Sequence, residues 1–165
     1  MTDQERLEEL RTWLGAIDVN SEVLEKSEAI PLDVLLADLS DDADNERMLQ
    51  FAFLPISSED LSFTKLLQAY MVLNHRATDE NLGEILYLIK EANSKSILGH
   101  FGIGPDNEIY YRYVHSMSTV LNDEVGFQEM FSMIFVSIKM FESLLNDLAS
   151  GKVDLEASLD QLAQR

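Results

Sequence analysis

The 165-residue chain contains no cysteine. That excludes disulfide staples, thiolate metal sites and a cysteine nucleophile, and leaves the redox compartment open. Basic residues are scarce as well: 12 lysines and arginines stand against 30 aspartates and glutamates, for a net charge of −18 and a pI near 4.3. A field of that sign repels phosphate backbones and anionic lipid, so neither nucleic acid nor membrane is an expected partner. The acidity either serves solubility alone or steers a basic partner, whose binding should then weaken with salt. No apolar run approaches the roughly 20 residues of a spanning helix, and the acidic start MTDQERLEEL lacks the apolar core of a secretory signal, so a cytoplasmic location is expected. Neither a GxSxG elbow nor an HExxH motif is present, and no serine, histidine and carboxylate stand in an evident catalytic order.

What the chain does carry is a hairpin pattern between Ser96 and Ser116. Ile97, Leu98, Phe101 and Ile103, then Ile109, Tyr110, Tyr111, Tyr113 and Val114, are the β-branched and aromatic types that suit a pleated surface. Gly104, Pro105, Asp106 and Asn107 supply the turn. A four-residue loop places Ile103 opposite Glu108, Phe101 opposite Tyr110 and Gly99 opposite Arg112. Both strands are apolar on both faces, which leaves the buried face undecided.

Ahead of the hairpin, Thr2 and Glu5 form a capping box for a helix over residues 3 to 15, with Leu7, Leu10, Leu14 and Ile17 at helical spacing and Gly15 as terminator. Val19 to Ile30 has no clean period and leaves room for a short strand before Pro31. Leu32 to Leu39 and Arg47 to Ile56 read as strands around an acidic loop, whereas Thr64 to Leu73 suits strand or helix equally. Thr78 caps a helix ending near Asn93. After the hairpin, Asn122 or Asp123 caps a long helix with the stripe Phe127, Met130, Phe131, Ile134, Ile138, Phe141, Leu145 and Leu148. Gly151 stops it, and Asp154 starts a short last helix carrying Leu155, Leu159 and Leu162.

Hairpin-joined strands imply antiparallel pairing, so the fold class is α+β: one domain over residues 1 to 165, with an antiparallel sheet of about five strands flanked by helices. The run KEANSKSILGHFGIGPDNEIYYRYVHSMS resembles the YbjN-like family, proposed sensory transduction regulators, and within it a cyanobacterial group. RMLQFAFLPI and KLLQAYMVLN are similar to that family's second and third strands, which favours strand for Thr64 to Leu73. The resemblance implies a fold like that of type III secretion chaperones, small acidic homodimers that hold an extended client segment. It brings no catalytic motif and no cofactor.

Several constellations have residue types that could carry chemistry. GHFGIG, Gly99 to Gly104, precedes a proline and a strand rather than a helix, so its glycines are read as close backbone approach and not as a phosphate cradle. Asp38, Asp41, Asp42, Asp44 and Glu46 fail the calcium-loop spacing and are read as a solvated loop. The chain's histidines, His75, His100 and His115, are not brought together by the hairpin, and no metal site is expected. Arg112, among Tyr110, Tyr111 and Tyr113, suits either carboxylate capture or cross-strand packing. Met133, Met140 and Leu144 form a second ridge beside the long helix's core stripe, to be covered either by the tail within the chain or by a second copy. The expectation is a non-enzymatic, homodimeric, chaperone-like or regulatory protein-binding module, with Met133, Met140, Leu144, Arg112 and Tyr110 as contact residues. An acidic, divalent-metal-assisted enzyme is the alternative.

Overall fold

The computed structural model describes residues 2–40, 47–57, 59 and 61–165. Its elements are α1 (Asp3–Gly15), β1 (Ser21–Leu24), β2 (Val34–Asp38), β3 (Met48–Phe53), β4 (Thr64–Arg76), α2 (Leu82–Lys95), β5 (His100–Ile103), β6 (Glu108–Ser118), α3 (Glu124–Ala149) and α4 (Leu155–Ala163). The class is α+β, and the strands form one open antiparallel sheet of six in the order β1-β2-β3-β4-β6-β5. The strand beyond the expected five is β1, in the segment without a clean period. Thr64–Arg76 is a strand, as the family resemblance favoured. The chain forms two compact units, Met1–Met71 with Val114–Phe131 and Val72–Tyr113 with Ser132–Arg165.

In the first unit the capping box of α1 is present. Thr2 Oγ1 accepts from the Glu5 N–H at 3.1 Å, and the Glu5 carboxylate accepts from the Thr2 N–H at 2.7 Å, which holds the Glu5 carboxyl below its ordinary range. Leu7, Leu10 and Leu14 are fully buried, each worth about 1.5–3 kcal/mol of transfer free energy. The helix ends at Gly15, as expected, and the left-handed residue that then turns the chain is Asp18, at φ 61°. Strand register then separates two faces with period two. Val23, Leu35, Phe51 and Ala69 are successive cross-strand partners on the core face, and Glu22, Leu36, Gln50 and Tyr70 form the neighbouring row on the other. Phe51 meets Phe127 at 5.8 Å between ring centroids, and Phe127 meets Trp13 at 5.8 Å, so α1 and the start of α3 cover the same face.

In the second unit α2 buries Ile85, Leu88, Ile89 and Ala92. Thr78 does not cap it directly: Thr78 and Asn81 exchange bonds between their N–H groups and side-chain oxygens, closing a turn just before the helix. α2 runs on to Lys95, and β5 begins at His100, so Ile97 is 58 % exposed rather than in a strand. The hairpin is one residue out of the expected register. Ile103 pairs with Ile109, Phe101 with Tyr111 and His100 with Arg112. Asn107 is the cause: it sits at φ 57° after a turn closed by Asn107 N–H to Gly104 C=O, and Gly104 N–H bonds Glu108 C=O, leaving a three-residue loop. Asparagine tolerates that left-handed conformation better than most residues.

Asp123 caps α3 through the Gly126 N–H at 2.9 Å, and all eight residues of its apolar stripe are buried. Gly151, at φ 72°, ends it, and Asp154 caps α4 through the Ala157 N–H at 2.8 Å. Lys95 donates to the Leu162 carbonyl at 2.8 Å, tying α4 to the end of α2.

Candidate protein-binding edge

The two outer strands of the sheet, β1 and β5, are finished differently. In an antiparallel ladder, successive residues point their backbone groups alternately to one neighbour and the other. Asp38 donates to the Asn20 carbonyl at 2.9 Å, and Leu39 donates to the Arg47 carbonyl at 2.8 Å. Asp38, Leu36 and Val34 therefore address β1, and their partners Glu22 and Leu24 point back at β2. Ser21 and Val23 point the other way. Among the described residues no hydrogen bond satisfies their N–H and C=O groups, so β1 presents a short row of unused donors and acceptors.

β5 is closed at Phe101. Of its two outward residues, Phe101 and Ile103, Phe101 donates its N–H to Asn93 Oδ1 at 2.8 Å and accepts at its C=O from Asn93 Nδ2 at 3.0 Å. An amide side chain from α2 thus takes the place of the next strand at this residue.

The rim of β1 is acidic. Glu22 is exposed on the face away from the core, and a hollow of about 240 Å³ beside it is lined by Asn20, Ser21, Glu22, Asp38 and Met48. The Ser40 hydroxyl and N–H, the latter at 2.8 Å, hold the Asp38 carboxyl below its ordinary range. It is therefore ionised at neutral pH.

The residues singled out from sequence do not form one patch. Tyr110 and Arg112 lie on the face of β6 opposite Ile109 and Tyr111, beside His100, whose ring is 6.3 Å from that of Tyr110. The C-terminal part of α3 packs on the other face, where Phe141 meets Phe101 at 6.0 Å. Of the methionine ridge, Met133 is 41 % exposed, Met140 is partly buried, and Leu144, at 2 %, is not accessible to a partner. The Arg165 guanidinium bonds the Met140 carbonyl and the Ser143 hydroxyl, so the end of the chain lies against this stretch. What remains exposed beside Met133 is Val136, one turn on.

Close backbone approach is confirmed in the glycine run. A Cβ on Gly99 would lie 2.4 Å from the Tyr111 hydroxyl, and one on Gly102 would lie 2.5 Å from the Tyr110 ring. Asp41, Asp42, Asp44 and Glu46 lie outside the described residues. Among the described residues no three histidine, aspartate or glutamate side chains gather as a metal site, and no helix is long and apolar enough to cross a membrane.

Sequence reasoning missed Ser21, Glu22, Val23 and Asn93. A four-residue strand is too short to show a period, and an asparagine near a helix end reads only as a stop.

No family model matches the chain, and no curated protein matches it. Among solved structures it is similar to YbjN from E. coli, described as a proposed transcription regulator, with 13 % identity, 88 % of this chain and 93 % of that chain covered, and a TM-score of 0.44.

Proposed function

We propose that the chain is a non-enzymatic protein-binding module that takes an extended segment of another protein alongside β1. One asymmetry supports this: among the described residues nothing bonds the outward backbone groups of Ser21 and Val23, while Asn93 occupies those of Phe101 at the other edge. An added strand would satisfy the open groups, each bond contributing about 0.5–1.5 kcal/mol net. A client-holding chaperone and a regulatory adaptor would both use this contact.

The test is selection of binders from a displayed library of random peptides, repeated on Val23→Pro. Proline at this outward position removes one open donor and leaves the bonds to β2 in place. The variant should keep its circular dichroism and lose the selected peptides. Unchanged binding by Val23→Pro, or a library that yields nothing above background, contradicts the proposal.

A further inference from the structure

Resting on the proposed use of β1, we infer that the segment it accepts runs antiparallel with a basic residue between two apolar ones, and that the same edge refuses a second copy of this chain. The register argument is geometric. A strand that bonds to both Ser21 and Val23 places one residue directly opposite Glu22, and that residue shares Glu22's face of the sheet. There it meets the Glu22 carboxylate and the hollow that Asp38 also lines. The two flanking residues fall opposite Ser21 and Val23, on the face that carries Leu35 and Phe51. The fitting pattern is apolar, basic, apolar.

Self-pairing meets the opposite outcome. Two copies of β1 that use all their outward groups must bond Ser21 to Val23 of the other copy and the reverse, which centres the pair on Glu22 against Glu22. Like charges directly opposite are destabilising in a ladder, and both chains carry a net charge of −18. The one acidic side chain within β1 therefore attracts a basic segment and repels its own copy.

The probes are two capped peptides, STVKVTS and STVEVTS, titrated at low salt while the Ser21 and Val23 amides are followed by NMR. STVKVTS should bind about tenfold more tightly, the swing expected when one favourable cross-strand charge pair becomes an unfavourable one. Glu22→Lys should reverse the order. Equal binding of both peptides, with both amides protected, overturns the charge pattern and leaves β1 as a binding edge. If neither peptide shifts those amides at millimolar concentration, the use of β1 itself fails. Sedimentation addresses the second copy: the wild-type chain and Val23→Pro should sediment identically. A wild-type dimer that Val23→Pro converts to monomer overturns the exclusion.

Discussion

The side-chain amide of Asn93 bonds both polar groups of the Phe101 backbone, donating at 3.0 Å and accepting at 2.8 Å. Phe101 is 1 % exposed, so water is poorly placed to replace Asn93. Asn93→Ala should therefore cost about 1–3 kcal/mol for a buried group left unsatisfied, read from urea melts. It should also open a second edge, so the variant should associate at concentrations where the wild type does not. A variant as stable and as soluble as wild type contradicts the capping role.

Two glycines that look alike in sequence should behave oppositely. Gly99 sits at φ 67°, and an added Cβ would lie 2.4 Å from the Tyr111 hydroxyl and 2.8 Å from the Arg112 carbonyl. Gly15 has nothing within 4 Å of an added Cβ and lies in the last turn of α1. Gly99→Ala should destabilise by about 2 kcal/mol or more, from left-handed strain and overpacking together. Gly15→Ala should stabilise by about 0.5–1 kcal/mol. Thermal melts of the two variants should move in opposite directions.

His115 is partly buried beside Arg6 and Asp123, and burial lowers its pKa against the opposing pull of the Asp123 carboxylate. With the folded pKa below the ordinary value near 6.5, the unfolded chain binds the proton more readily. The His115 contribution is thus complete above about pH 6.5 and is lost as pH falls through the folded value. His115→Gln should flatten that part of the stability curve between pH 7 and pH 5. An unchanged slope contradicts the assignment.

Met133 and Leu144 should separate under the same substitution. Met133→Glu should fold, since that side chain is 41 % exposed. Leu144→Glu places a carboxylate at a site 2 % exposed, with a penalty of several kcal/mol. Circular dichroism of the two variants decides it, and a folded Leu144→Glu contradicts the packing of α3.

The parts of this fold that were legible in the sequence are those where one local signal acts alone. Thr2 with Glu5, Asp154, Gly151 and the eight-residue stripe of α3 each specify a cap, a stop or a face through neighbours on the same element. Asn107 shows where this ends. The turn residues were evident, yet one left-handed dihedral moved the hairpin register and put Tyr111, rather than Tyr110, opposite Phe101. Leu144 shows the same limit: the helical spacing places it on the second ridge, and its burial, at 2 % exposure, answers which of the two covers suits it only once the packing is seen. The candidate edge was less legible still. Whether Ser21 and Val23 face β2 or solvent is set by hydrogen bonds at Asp38 and Leu39, remote in sequence from β1.

The most direct measurement is backbone amide exchange, followed by NMR, on the free protein. If β1 is open and β5 is closed at Phe101, the Ser21 and Val23 amides exchange far faster than those of Glu22 and Leu24, which point at β2, and the Phe101 amide is protected by Asn93. Uniform protection from Ser21 to Leu24, or rapid exchange at Phe101, contradicts the account.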